Sequence, residues 1–450
     1  MHTKCTYVQT EGCCGMSYVD RLRARERELG RPVRVGLVGA GQMGLGFVVQ
    51  AGRIAGMEVA AIADIAPERG RQAFARAGRD GVVTAGSRAE LGRAVELGRP
   101  VVTDDAMTLT GLPVDVLVDA SGVPEVGARV AFAGLLAGKD IALLNVECDV
   151  TVGFLLATLA RGFGRVYTVC RGDEPVECKA LVDHVRDIGF DIVCAGKGKN
   201  NPLDPAATPA SVAERAVAKG MNPHMLASFV DGSKTMIEMA ALANGANLRV
   251  ASRGMTGPHC TVDGLAETFR PAAEGGVLPE SGVVDYCTGP VAPGVFVIGR
   301  SDHPVVVEEM AYLGMGKGPY YSFYRPYHLA SVEAPLSVAE AVLDRRPSLA
   351  PRAWNAEVLA VAKRDLRPGE LLDGIGGDTV YGLTDSAANA RAGGHVPLGL
   401  AEGARVLREV PAGTVLTSGD VAVDETTTIA TLRRLQERLL AGEPVESLVA

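Results

Sequence analysis

Short apolar runs alternate with longer amphipathic stretches along this chain, the rhythm of strands and helices in an α/β protein. In VRVGLVGAGQMGLGFVVQAGRI, residues 33 to 54, an apolar run from Val33 to Val38 predicts a buried strand, and helical periodicity follows it. MEVAAIAD predicts a second strand ending at Asp64. DVLVDASG, residues 115 to 122, and DIALLNVECD, residues 140 to 149, predict two more, with a helix from Val126 to Leu136 between them. RVYTVCRGD predicts a strand that ends at a turn, and ECKALVDHVRDIGFDIVCAGKGK a helix followed by a strand. In SFVDGSKTMIEMAALANG, residues 228 to 245, Asp231 or Ser233 starts a helix on which Ile237, Ala240 and Ala241 face a core. Proline and polar residues in DRRPSLAPRAWNAEV mark a crossover, and beyond it RDLRPGELL and REVPAGTVLTSGDV repeat one pattern of turn and apolar end. The last periodic stretch, TTIATLRRLQERLLAG, predicts a helix that docks on the body or on a partner subunit. The expected divisions are an N-terminal extension (1–30), a Rossmann dinucleotide-binding domain (31–164), a central α+β substrate and dimerisation domain (165–345), and a small β-rich domain with a terminal helix (346–450).

Gly39, Gly41 and Gly44 form GxGxxG between the first strand and its helix. Gly39 allows the tight turn, Gly41 lets backbone approach a pyrophosphate, and Gly44 permits close helix–strand packing. Gln42 and Met43 complete the expected cofactor loop, where helix N–H groups attract phosphate. Asp64 lies 25 residues beyond Gly39, near the spacing at which a carboxylate takes ribose hydroxyls. A bare carboxylate there favours NAD, and Arg69 close behind it can counter that in favour of NADP. Ser121 and Gly122 end the strand at which a nicotinamide or its ribose passes.

The net charge of −8 excludes nucleic acid as the main partner, because no basic tract follows a phosphate backbone. No stretch has the eighteen or more apolar residues of a membrane span, so no membrane partner and a cytoplasmic location are expected. Nine scattered cysteines fit reduced thiols better than a disulfide framework. Cys5, Cys13 and Cys14, with His2, are too loosely arranged to predict a metal site.

Against this acidic background three polar clusters stand out. The first is KGKNN. Lys197 and Lys199 suit an oxyanion or phosphate, and Asn200 and Asn201 can orient hydroxyls; a solubilising loop is the plainer alternative. In the second, Lys234 and Glu238 are four apart and share a helix face. On a surface they make a modest ion pair; in a crevice they bind substrate, move a proton or hold a divalent ion. The third, MGKGPYYSFYRPYHLASVEAP, gathers Lys317, four tyrosines, Arg325 and His328, and reads either as a packed strand or as a sugar-phosphate pocket. Glu147 and Asp149 lie at the end of an expected sheet strand, where they face one way if the strand persists; a cap of the next helix is the alternative for Asp149.

Together GLVGAGQMG, LLNVECDVTVG, CAGKGKNNPLDP, FVDGSKTMIEMA and YYSFYRPYHL resemble the deoxyxylulose-phosphate-reductoisomerase-like (DRL) proteins, relatives of homoserine dehydrogenase with a C-terminal SAF-type domain. The resemblance covers most of residues 30 to 430. It implies an NAD(P)-dependent oxidoreductase acting on a small anionic phosphorylated sugar or polyol, as a homo-oligomer, expected to be a dimer. Its best-known activity, with NADPH and a divalent ion such as Mg²⁺ or Mn²⁺, converts deoxyxylulose 5-phosphate to methylerythritol 4-phosphate in isoprenoid biosynthesis. Lys197, Lys234, Glu238 and Glu147 are then the catalytic candidates. Lys199, Asn200, Asn201, Ser233, Arg325 and His328 are the substrate candidates, and Glu147, Asp149 and Glu238 the metal candidates. The rival expectations are simple dehydrogenation without skeletal rearrangement, as in homoserine dehydrogenase, and a non-catalytic nucleotide-sensing or assembly protein.

Overall fold

The computed structural model describes residues 16–84 and 86–444; the question raised by Cys5, Cys13 and Cys14 lies outside the described residues. The polar stretch before the first strand is a helix, Tyr18–Leu29, capped by Ser17. Strands β1 (Val33–Val38), β2 (Met57–Ala63), β3 (Val101–Thr103), β4 (Val116–Asp119), β5 (Asp140–Leu143) and β6 (Tyr167–Val169) form a parallel sheet. Its order is β3-β2-β1-β4-β5-β6, so the chain reverses direction across the sheet between β1 and β4, where such sheets open a ligand crevice. Helices cover both faces, which is why the strands are continuous apolar runs. Leu37, Ile62 and Leu117 are fully buried, and each such side chain contributes about 1.5–3 kcal/mol.

Two expectations are corrected here. β6 lies beyond the expected boundary at residue 164 yet is the outer strand of this sheet. The strand expected over 140–149 stops at Leu143, and the Val146–Gly162 helix begins instead, with Asn145 as its cap. The Asn145 Oδ1 accepts the Cys148 N–H at 3.1 Å, satisfying a donor that a helix start leaves free. Glu147 and Asp149 therefore stand in a first helical turn, where residues two apart point to different sides.

A second sheet, in the order β10-β9-β7-β8, is built from β7 (Asp191–Lys199), β8 (Val283–Thr288), β9 (Val295–Arg300) and β10 (Tyr320–Arg325). Only the β7–β8 pair is parallel. The Glu174–Asp187 and Ser233–Ala246 helices pack against each other, and the first also lies on β7. Lys197 and Lys199 belong to this strand rather than to a loop. The glycines beside them serve the sheet: a Cβ on Gly196 would sit 1.9 Å from the Asp285 carbonyl oxygen, and one on Gly198 2.2 Å from the Ala292 nitrogen.

The C-terminal region pairs β11 (Ala356–Ala362) with β12 (Val380–Ser386) and β13 (Arg405–Val406) with β14 (Val421–Ala422), all antiparallel. The two similar segments meet, Leu366 and Val410 exchanging backbone hydrogen bonds of 2.8 and 3.1 Å. Its core is continuous with the central region, since Ile237 and Ala240 share one apolar cluster with Val358, Ala360 and Val380. The final helix, Thr428–Leu440, docks on the body: Ile429 and Leu432 enter the core of the first sheet. Arg433 meets buried Glu357 at 2.7 Å.

Candidate active site

The glycine-rich turn has the geometry its sequence predicts. Gly39 has φ +88°, and a Cβ there would lie 2.8 Å from the Ala120 carbonyl oxygen. A Cβ on Gly44 would lie 1.9 Å from the Gly39 carbonyl oxygen, so only glycine lets the Gln42–Ala51 helix pack this closely. A Cβ on Gly41 meets nothing within 4 Å, and this helix has no side-chain cap. Open space and free N–H groups thus coincide at Gly41, Gln42 and Met43, a cradle that fits a pyrophosphate. Asp64 is buried, and its two oxygens accept the N–H groups of Ala40 at 2.7 Å and Ala66 at 2.8 Å. Its carboxylate braces the loop from below. Arg69 is exposed on the helix that follows.

At the end of β4 the structure adds a residue that the sequence reading missed. Asp119 is buried and accepts the Asn145 amide at 2.8 Å and the Ser121 N–H at 3.0 Å. Burial pushes its carboxyl up to about 6 although both bonds oppose this. Gly122 follows with φ +68°. Asn145 thus ties the carboxyl end of β4 to the helix that carries Glu147.

Glu147, two residues after Asn145, enters a cluster of buried charges. Glu147 accepts the Lys234 ammonium at 2.8 Å. Lys197 donates to Glu174 at 2.6 Å and makes a very short contact with Glu238. His328 places Nε2 3.3 Å from Glu174 and Nδ1 3.0 Å from the Gly172 carbonyl. Asp173 completes the group: single oxygens of Asp173, Glu174 and Glu238 all lie within 4.8 Å of one another. The first turns of three helices, Val146–Gly162, Glu174–Asp187 and Ser233–Ala246, supply Glu147, Glu174 and Lys234. Helix N-termini favour negative charge, which suits carboxylates gathered here.

Burial and neighbouring charge divide these groups. Burial lowers a lysine, but Glu174 and Glu238 reverse this and raise Lys197; Glu147 and Asp173 do the same for Lys234. Both ammoniums stay charged throughout the neutral range. Burial would raise Glu174, but Lys197 and His328 hold it down at about 2. Asp173 is raised, by burial and, against the pull of Lys234, by Glu238 and Glu174; Glu238 is raised by burial and Glu174. In the tightly joined Lys197–Glu238 pair the lysine is raised, because two carboxylates hold one ammonium. Lys199, two residues along β7, differs. Burial and then Lys197 lower it to about 8, and its Nζ donates to the Phe229 carbonyl at 2.7 Å.

The structure therefore brings together Glu147, Lys197, Lys234, Glu238 and His328, with Lys199 beside them. Asp149 is not in this group. It is fully buried on another side of its helix, bound to the Tyr167 hydroxyl at 2.9 Å, and burial raises it to about 7 against that bond. Ser233 is fully buried too, its Oγ accepting the Gly382 N–H at 2.7 Å. Arg325 is held by Glu177, in a very short contact, and by Glu333 at 2.5 Å. Its guanidinium organises carboxylates, and Arg171 binds the same Glu177 at 2.7 Å. Asn200 is exposed just past β7, and Asn201 lies 3.5 Å from Arg215. Asp173, Glu174 and Glu177 were missed, yet RGDEPVE carried a usable signal: three acids directly after a strand, at the edge where ligands bind.

Residues 172–334 match the family described as "Oxidoreductase DRL, catalytic domain", and residues 357–422 match the SAF domain. No curated protein matches the chain. Among solved structures, a probable dehydrogenase from Thermotoga maritima is 13% identical, with 71% of this chain and 90% of that one covered and a TM-score of 0.40. The myo-inositol dehydrogenase from Lactobacillus casei, in complex with NAD(H) and myo-inositol, is 15% identical over 72% and 90%, with a TM-score of 0.38. The 1-deoxy-D-xylulose 5-phosphate reductoisomerase from Zymomonas mobilis, in complex with NADPH, is 20% identical over 46% and 57%, with a TM-score of 0.32. At such scores these likenesses carry no argument about activity. The matched domains do: the chain carries a DRL oxidoreductase catalytic domain followed by a SAF domain, the family that its motifs resemble.

Proposed function

We propose that this oxidoreductase transfers hydride between NADP or NAD and a small phosphorylated sugar or polyol, with a divalent ion at Asp173, Glu174 and Glu238. The observation that carries the reading is the carboxylate–lysine cluster, joined through the Lys234–Glu147 pair to the helix that Asn145 caps and ties to Asp119 at the carboxyl edge of the first sheet. A bound nicotinamide supplies the hydride, and a bound Mg²⁺ or Mn²⁺ polarises a substrate oxygen. Three carboxylates form a hard oxygen donor set that fits such an ion. Lys234, charged and anchored on Glu147, aims a donor at the oxygen that gains charge; one well-placed donor contributes about 3 kcal/mol to such a step. Lys199, near 8, is suited to exchange a proton with that oxygen. Asn200 and Asn201, past the end of β7, bind hydroxyls of the entering substrate. Reduction coupled to skeletal rearrangement, as in deoxyxylulose 5-phosphate reductoisomerase, is the form of this reading we favour.

A second reading rests on Lys197. Its ammonium already neutralises Glu174 and Glu238, an arrangement that also suits simple dehydrogenation without a metal. The purified chain, given NADPH or NADH and deoxyxylulose 5-phosphate with and without Mg²⁺ or Mn²⁺, separates the two. Metal-dependent nicotinamide oxidation with a rearranged product mass supports the first. Turnover without metal and without rearrangement supports the second. Cofactor binding with no turnover removes this substrate, and a panel of phosphorylated polyols and keto-sugars follows.

A further inference from the structure

Resting on that placement of the active site, we propose that the SAF domain is part of its architecture: Lys363, Gly382 and Thr384 fix the first turns of the Ser233–Ala246 helix, and through them Lys234 and Glu238. Three contacts carry the inference. The Lys363 ammonium lies 2.8 Å from Asp231, with side chains only 2% and 0% exposed. It also donates to the carbonyls of Ala207 at 2.6 Å and Gly377 at 2.7 Å. The other Asp231 oxygen accepts the Ser233 N–H at 2.8 Å, so one carboxylate receives the lysine and starts the helix. From β12, the Gly382 N–H donates to the Ser233 Oγ at 2.7 Å, and the Thr384 hydroxyl donates to the Met236 carbonyl, also at 2.7 Å.

Helical spacing gives these contacts their consequence. Ser233, Ile237 and Ala240 lie on the side that meets the SAF strands, while Lys234 and Glu238, offset by one residue, meet Glu147 and Lys197. The helix is pinned on one side and presents its charges on the other. Apolar packing could supply comparable stability, but a buried ion pair, with side chains 2% and 0% exposed, also fixes position. Lys363, Gly382 and Thr384 are positioning residues; they touch no reacting group. Ala207 lies between β7 and this helix, so the same ammonium also restrains the segment that leaves Lys199 and Asn200.

The test compares full-length wild type with Lys363→Met, Asp231→Asn, the double variant and Thr384→Val. Thr384→Val removes one hydroxyl at nearly constant shape and serves if the ion-pair variants fail to fold. Leu416→Ala, a buried position whose backbone bonds run to Ala360 and Val396, is the control for general loosening of the same domain. Hydrogen–deuterium exchange is read over residues 233 to 238, and Mn²⁺ binding by electron paramagnetic resonance. Exchange there is expected to rise roughly tenfold in Lys363→Met, and Mn²⁺ affinity to fall about 10- to 100-fold, the range for lost outer support of a metal ligand. Leu416→Ala is expected to change neither. Unchanged exchange over this segment, an equal rise in Leu416→Ala, or unchanged Mn²⁺ affinity despite raised exchange overturns the inference. If wild type binds no Mn²⁺, the metal part of the proposed function falls, and the exchange comparison alone decides the inference.

Discussion

Lys197→Met probes the cluster most directly, because methionine keeps much of the side-chain length and removes the charge. Lys197 is 7% exposed and stands between Glu174 and Glu238, themselves 14% and 2% exposed. Removing one partner of a buried ion pair costs about 3–5 kcal/mol, since the other charge stays buried without compensation. The loss should depend on pH. Without the ammonium, Asp173, Glu174 and Glu238 still share a space in which their oxygens lie within 4.8 Å. Asp173 and Glu238 are already raised in the wild type, so a further proton must then bind on folding, which places one more folded pKa above its unfolded value. Such a contribution is full below the unfolded pKa and is lost as pH rises, by up to ~1.4 kcal/mol per pH unit per proton. In the wild type Glu174 has the opposite sign: it is held at about 2, so its contribution is present above the unfolded pKa and is lost as pH falls toward 2. The deficit of the variant therefore widens from pH 5 to pH 7. Urea unfolding followed by circular dichroism, at several pH values in that window, measures it. Saturating Mn²⁺, at about a hundred times its Kd, should restore about 2.7 kcal/mol if the freed carboxylates hold the ion. A loss below about 1 kcal/mol, or one independent of pH, would refute the claim that Lys197 is the buried counter-ion of this cluster.

Three other outcomes are expected. Gly41→Ala should fold with an unchanged melting temperature, since its Cβ meets open space, yet weaken NADPH binding about tenfold in fluorescence titration; Gly44→Ala should lose stability outright, because its Cβ would lie 1.9 Å from the Gly39 carbonyl oxygen. Lys199, labelled by reductive ¹³C-methylation and followed by NMR, should titrate near 8; Lys199→Arg should lose most turnover at every pH while still binding substrate, since arginine stays charged and exchanges no proton. Arg433→Met should strand the Glu357 carboxylate, destabilise the fold by about 3–5 kcal/mol and loosen the final helix, which limited proteolysis detects.

Local pattern determined a good part of this protein. The β1 strand runs from Val33 to Val38 as its apolar run predicts. Gly39 and Gly44 do the separate jobs that their spacing implies, because a tight turn and a close packing are both decided within a few residues, and Gly41 faces open space. Helical period likewise put Lys234 and Glu238 on one face. Period did not say what that face meets, and the two do not pair with each other as the surface alternative supposed. Lys234 reaches Glu147, 87 residues away, and Glu238 reaches Lys197, 41 residues away. The competition at Asn145 was also lost to local reading: an apolar run can extend as strand or turn into helix, and a side-chain cap bonded to Asp119 across the sheet decided it. Arg325 and Ser233 show the same limit from the other side. Both have the chemistry of a ligand site, and the fold commits one to Glu177 and Glu333 and the other to Gly382. Sequence spacing determines which side chains share a face, because the backbone repeat is local; which faces meet, and so which charges are compensated, is decided only when distant elements pack.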